Sequence, residues 1–262
     1  MQKQRKRLEK IVERHRTGGL LFLCTLLVIA GSVRFSSRAV QSSSRAGARE
    51  LPIYCVDTDK KQVGLSFDAA WGNEDTQRIL DILGKYKLHA TFFMTGGWVK
   101  SFPEDVKKIA AAGHDLGNHS ENHKNMSQLS KEEKISELMT VHNRVKELTG
   151  IEMKLFRPPY GDYDNEVVLT AMECGYYPIQ WSVDSLDWKD YGVQDIIERV
   201  TKHKALANGA IILCHNGAKY TAQALEGLIC GLQEQGYEIV PISELIYKEK
   251  YHMDSAGKQI AD

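Results

Sequence analysis

The chain has 262 residues, is 42% hydrophobic and 26% charged, and carries no formal net charge. The neutrality conceals an asymmetry: residues 1–50 hold 11 Lys/Arg against 3 Asp/Glu, and residues 51–262 hold 23 against 31. The composition is that of a globular protein with room for one large core, and an acidic main domain excludes nucleic acid as its expected partner.

Residues 1–17 form a basic end with Lys3, Arg5, Lys6, Arg7, Lys10, Arg14 and Arg16. Residues 18–35 follow, centred on an apolar run from Leu20 to Ala30 broken only by Thr25. Gly18 to Val33 would span roughly 24 Å as a helix against a bilayer core of about 30 Å, short for a crossing and suited to a signal-peptide core. The best cleavage site, Val28-Ile29-Ala30, matches the small-x-small rule poorly, and Arg34 and Arg38 come soon after it. The expectation is therefore an uncleaved transmembrane signal anchor, single-pass in the cell membrane, with the main domain extracytoplasmic; secretion after cleavage is the alternative. Residues 36–50, rich in Ser, Arg, Ala and Gly, read as a linker, and residues 51–262 as one domain.

Within that domain strand and helix signals alternate. Val63 to Phe67 reads as a strand, and Asp75 to Tyr86 as a helix with Ile79, Ile82, Leu83 and Tyr86 on one face. Ala90 to Met94 is the next strand, and Pro103 opens a helix that Gly113 closes. Ser130 and Glu133 form a capping box for a helix whose expected buried face is Ile135, Leu138, Val141, Val145 and Leu148, with Gly150 at its end. A further strand leads into Phe156, and Asp164 caps a helix ending at Gly175. Tyr176 to Val183 reads as one strand, Val193 to His203 as helix, Ala210 to Cys214 as strand, Thr221 to Gln235 as helix and Glu238 to Val240 as strand. Such βα units imply parallel strands covered by helices, and six or seven of them suit a small or incomplete (β/α) barrel better than an open sheet. Cys55, Cys174, Cys214 and Cys230 show no pairing spacing, so reduced cysteines are expected.

The unusual polar residues fall at the expected carboxyl ends of strands, where a βα barrel builds its site. Asp68 ends the first main strand; HSENH (His119 to His123), FRPPYG (Phe156 to Gly161), SVDSLDW (Ser182 to Trp188) and ILCH (Ile212 to His215) end others. On a helical turn His119 and His123 would share a face and bind one divalent cation, although two histidines at that spacing also occur as ordinary surface residues. Pro158 and Pro159 hold Arg157 extended, which suits bidentate pairing with a carboxylate or a structural ion pair. His215 lies at the edge of a buried strand, where an acid such as Asp187 would raise its pKa toward the range of a general acid. His15, His142, His203 and His252 sit in helical or terminal contexts and read as ordinary.

Together these motifs resemble the NodB-homology family of polysaccharide deacetylases, over about Val63 to Leu245. SFDAAWGNEDT, HDLGNHSENHKNMS, RPPYGDYDN and VDSLDWKDYG look closest to the sporulation-type deacetylases of Firmicutes. The resemblance implies a distorted (β/α)7 barrel that removes N-acetyl groups from a cell-wall glycan such as peptidoglycan. By position it makes Asp68 the general base, Arg157 its orienting partner, and His119 and His123 metal ligands. Tyr160 becomes an oxyanion donor through its backbone N–H and a substrate contact, Asp187 the acid that tunes His215, and His215 the general acid. Trp188 becomes a wall of the groove and Leu213 part of the acetyl pocket.

The departure is Ala69, where the family pattern has a second aspartate that binds metal. Three outcomes follow. His119 and His123 hold a divalent ion such as zinc weakly; a neighbour among Asn73, Glu74 and Asp75 replaces the ligand, which the helix cap in that stretch opposes; or the site works without metal. The alternatives to a deacetylase are accordingly a catalytically impaired glycan-binding protein on the same scaffold and a metal-free hydrolase of another C–N amide bond.

Overall fold

A computed structural model describes residues 49–262. The anchor expected at 18–35 lies outside them, and no helix among the described residues is long and apolar enough to cross a membrane. After a short β1 (Cys55–Val56), the long β2 (Gln62–Ala69) runs through the centre of the sheet. Its period of two sorts the side chains: Val63, Leu65, Phe67 and Ala69 join the large core between sheet and helices, and Ser66 and Asp68 turn to the other face. Then follow α1 (Thr76–Lys85), β3 (Thr91–Met94), α2 (Gly96–Ser101), α3 (Pro103–Ala111) and β4 (Asp115–Asn118). The chain continues through α4 (Lys131–Thr149), β5 (Leu155–Phe156), α5 (Asn165–Glu173), β6 (Tyr177–Pro178) and β7 (Val183–Asp184). It ends with α6 (Val193–Thr201), β8 (Ile211–Asn216), α7 (Thr221–Glu234), β9 (Glu238–Val240), α8 (Ile242–Leu245), β10 (Tyr251–Met253) and β11 (Lys258–Ala261).

Local chemistry explains the helix boundaries. Ser130 accepts from the Glu133 N–H while Glu133 accepts from the Ser130 N–H, and Gly150 closes α4 in the left-handed region at φ 75°. Asp164 caps α5 through Val167. The face of α4 differs from expectation at one position: Ile135 is 37% exposed, while Lys134 and Glu137 are buried. Lys134 is drawn inward because its ammonium finds the Leu129 carbonyl and the Glu166 carboxylate.

The main sheet is parallel, in the order β6-β5-β4-β3-β2-β8-β7, with β9 paired to the start of β2. The seven-strand path matches the unit count of the expected barrel, but its ends, β6 and β7, are not paired with each other, so it forms an open half-barrel. The single strand expected over Tyr176 to Val183 is two short ones. Between them the chain leaves the sheet to bond with the N-terminal segment, Ile53 donating to Pro178 and Gln180 to Ile53. Inside the curve a second apolar cluster gathers Phe93, Ile179, Ile211, Ile242 and Leu245. Gly64 makes room for α8: a Cβ there would lie 3.1 Å from Ile242 and 3.2 Å from Leu245. A separate sheet in the order β1-β11-β10 packs the two ends of the domain together. Register then sets the site, because Asp68 lies opposite His215 on β8 and Phe93 on β3, and Asn118 opposite Phe156.

Candidate functional site

Asp68 is 4% exposed at the carboxyl end of β2. The Arg157 guanidinium donates from Nη1 to Asp68 Oδ1 at 2.7 Å. The pairing is not bidentate, because Nη2 turns to the Gln180 carbonyl at 3.2 Å. Arg157 is wholly buried, its guanidinium 4.1 Å from the Phe93 ring centroid, and its Nε has no hydrogen-bond partner among the described residues. A buried cation so enclosed needs a carboxylate, and Asp68 is it. Burial pushes the Asp68 carboxyl up, but Arg157, with His119 and His215, outweighs it and holds the group below the ordinary carboxylate value.

HSENH is not a helical turn. It is a loop in which Ser120 and His123 take positive φ, 64° and 53°. The loop holds this shape because each member is tied down. Asn118 Oδ1 accepts from the Ser120 N–H, Ser120 Oγ accepts from the His123 N–H, and Glu137 takes both donors of Asn122. Glu121 meets Arg144 through two bonds of 2.8 Å. Gly117 contributes by its missing Cβ, which would lie 2.5 Å from the Phe93 ring. The loop brings His119 Nε2 and His123 Nε2 within 3.2 Å of each other. His119 Nδ1 lies 2.7 Å from the Arg157 carbonyl, which only accepts, so Nδ1 carries the proton and Nε2 presents its lone pair. Burial, against the pull of Asp68, brings His119 down to about 4 and also lowers His123, so both rings are neutral near pH 7.

These two imidazoles meet the requirement of a metal ligand; the rest of the donor set does not. Ala69 supplies a methyl group and is fully buried in the core cluster. Asp68 Oδ2 lies 3.5 Å from His119 Nε2, but its partner oxygen is engaged by Arg157. Asn73 donates to Asp105, Glu74 accepts from the Asn73 N–H, and Asp75 accepts from the Gly217 N–H. These contacts, rather than a side-chain cap on α1, withhold that stretch from the site. Among the described residues no group of three His, Cys, Asp or Glu gathers around one point.

The other half of the site is fully satisfied. Asp187, wholly buried, accepts from His215 Nδ1 at Oδ1 and from both the His215 N–H and the Thr221 hydroxyl at Oδ2, each at 2.6 Å. Left-handed Leu186 and Asp190 bracket the 3-10 turn that carries it. Burial opposes charge on His215, but Asp187 prevails and its pKa is raised. Leu213 is buried two residues before His215 on the same side of β8. Tyr160 sits in the left-handed region at φ 60°, with its ring against His123 at 4.5 Å, and is 68% exposed. Trp188 is 49% exposed beside Asp187. Thr221, absent from the sequence expectations, reads there only as the opening residue of a helix. Cys55, Cys174, Cys214 and Cys230 are free.

Comparisons with known proteins identify the family. The family described as polysaccharide deacetylase matches residues 56–179. The chain is 36% identical over 195 residues to the uncharacterized protein YlxY of Bacillus subtilis, covering 74% of this chain and 60% of that one. It is 31% identical over 211 residues to the peptidoglycan-N-acetylmuramic acid deacetylase PdaA of the same species, covering 78% of each. Among solved structures it matches a CE4 family pseudoenzyme from Bacillus anthracis at 38% identity and a TM-score of 0.72, covering 76% of this chain and 69% of that one. A mutant of that protein is described as having restored enzymatic activity.

Proposed function

This chain belongs to the polysaccharide deacetylase family, and we propose that it removes N-acetyl groups from a cell-wall glycan of the peptidoglycan type, outside the cytoplasm. The observation that carries the reading is the placement, at paired positions of β2 and β8, of a carboxylate bonded by Arg157 and an imidazole bonded by Asp187, the first lowered and the second raised in pKa by those partners. In this mechanism Asp68 takes a proton from water as the water oxygen bonds to the acetamide carbonyl carbon. The Tyr160 N–H faces the resulting oxyanion, and Leu213 borders the methyl group. Breakdown expels the sugar nitrogen, which takes its proton from His215 Nε2 while Asp187 holds the ring by Nδ1. Acetate and a free amine result, and solvent returns the Asp68 proton to His215. A divalent ion held weakly by His119 and His123 belongs to the proposal; with Ala69 in place of a carboxylate, no step above is assigned to it.

Ala69 favours one other reading, a glycan-binding protein on the same scaffold, and the similarity to a pseudoenzyme supports it. Acetate release from N-acetylated muropeptides, measured with and without added zinc, separates the two readings. Release by the wild type excludes the binding-only reading, and its absence at every supplied metal excludes the hydrolase.

A further inference from the structure

Trp71 is the residue at this site to which neither the mechanism nor the family resemblance assigns a task. Its indole stacks on the His215 imidazole, with ring centroids 5.4 Å apart and planes 24° from parallel. It nevertheless remains 44% exposed. An exposed tryptophan on a loop is ordinarily mobile, but this one stands on a fixed backbone. Trp98 Nε1–H donates to the Gly72 carbonyl at 2.7 Å, and Asn216, next to His215, donates to the same oxygen at 3.3 Å. Gly217 allows the approach: a Cβ there would lie 2.5 Å from the Trp71 carbonyl oxygen and 3.2 Å from its Cδ1. The chain after the acid histidine and the chain after Asp68 are thus pressed together, and the indole is the one large group left partly in solvent at the join.

We propose that Trp71 is a substrate-binding and specificity-determining residue, which seats a pyranose ring of the glycan beside His215. One side of the indole is spent on the imidazole; the remainder is a rigid apolar platform suited to the C–H face of a sugar ring, which presents carbons on one side and hydroxyls at its edge. Because the platform touches the acid itself, a sugar stacked there has its nitrogen placed relative to Nε2 by the same ring that restrains the imidazole. Tyr160, its ring packed on His123, is a further exposed aromatic at the site.

This inference rests on the glycan reading of the site but not on turnover, so binding and hydrolysis are measured separately. Titration of the protein with soluble N-acetylglucosamine oligomers, by calorimetry, is the test. Trp71→Ala and Trp71→Leu should each weaken binding about 5- to 10-fold, and Trp71→Phe should restore most of it. Leucine keeps apolar bulk over His215, so a loss shared by alanine and leucine and rescued by phenylalanine reports the aromatic face rather than folding. In the same samples the His215 ring proton resonances should shift on adding oligomer in the wild type, and in Trp71→Leu the shift should need about 5- to 10-fold more oligomer. Wild-type affinity in Trp71→Leu, or no binding by the wild type, overturns the inference. Binding without acetate release defeats the hydrolase reading and leaves Trp71 in place. Acetate release unchanged by Trp71→Leu, with unchanged KM, defeats the Trp71 assignment alone.

Discussion

The two sides of the site meet opposite standards of support. On the β8 side, Asp187 is fixed by three donors and His215 is bonded at Nδ1 and stacked on Trp71. On the β4 side, His119 and His123 are positioned with equal care by their loop, yet Ala69, where a third donor was expected, supplies only a methyl group buried in the core cluster. The two sides meet at Arg157, whose side chain donates to Asp68 and whose carbonyl accepts from His119, while the His215 ring is held by Asp187. Arg157 is held by Asp68, Gln180 and the Phe93 ring, none of which is at position 69.

Breaking the supported side should have the larger effect. Asp187→Asn leaves the partly buried His215 imidazole without its anion, and acetate release should fall by roughly 10²–10⁴-fold. The pH profile gives the sign. His215 faces Asp187, Asp68 and Asp184, and its pKa is raised, so activity should fall as pH rises through that raised value; in Asp187→Asn the basic limb should move to lower pH. By linkage, the stability that this pair contributes is fully present below the ordinary histidine value and is lost as pH rises through the raised one, which urea titrations at several pH values would detect.

Repairing the deficient side is the next largest change. Ala69→Asp should tighten zinc binding by more than the roughly 10–100-fold that a mere supporting contact is worth, read by calorimetry on protein made without a histidine tag. Unchanged affinity would mean that a carboxylate at 69 does not reach the two imidazoles. The smallest effect is expected from Thr221→Val, which removes one of three donors to Asp187. Loss of a hydrogen bond to a charged group costs about 1.5–3 kcal/mol, visible in urea unfolding, with His119 and His123 metal affinity unaltered.

Much of this was legible in the sequence because strand ends and helix caps are local signals. Ser130 with Glu133, Asp164 and Gly150 act as their residue types dictate, and all five motifs lie at the carboxyl ends of parallel strands. What escaped depends on distant partners. The HSENH loop takes its shape from Asn118 and Glu137 rather than from a helical period. β5, β6 and β7 are too short to show a period of two, and Gln180 left the expected strand for Ile53. Thr221 carries no local mark of its bond to Asp187, since the two meet only through the packing of α7 on the sheet.

In the proposed mechanism Asp68 and His215 work as an acid–base pair despite Ala69. Acetate release from N-acetylated muropeptides, with Asp68→Asn measured beside the wild type across supplied divalent metals, tests it most directly. Release by the wild type and a loss of about 10²–10⁴-fold in Asp68→Asn are expected. No release under any metal, with the wild type indistinguishable from Asp68→Asn, would contradict it.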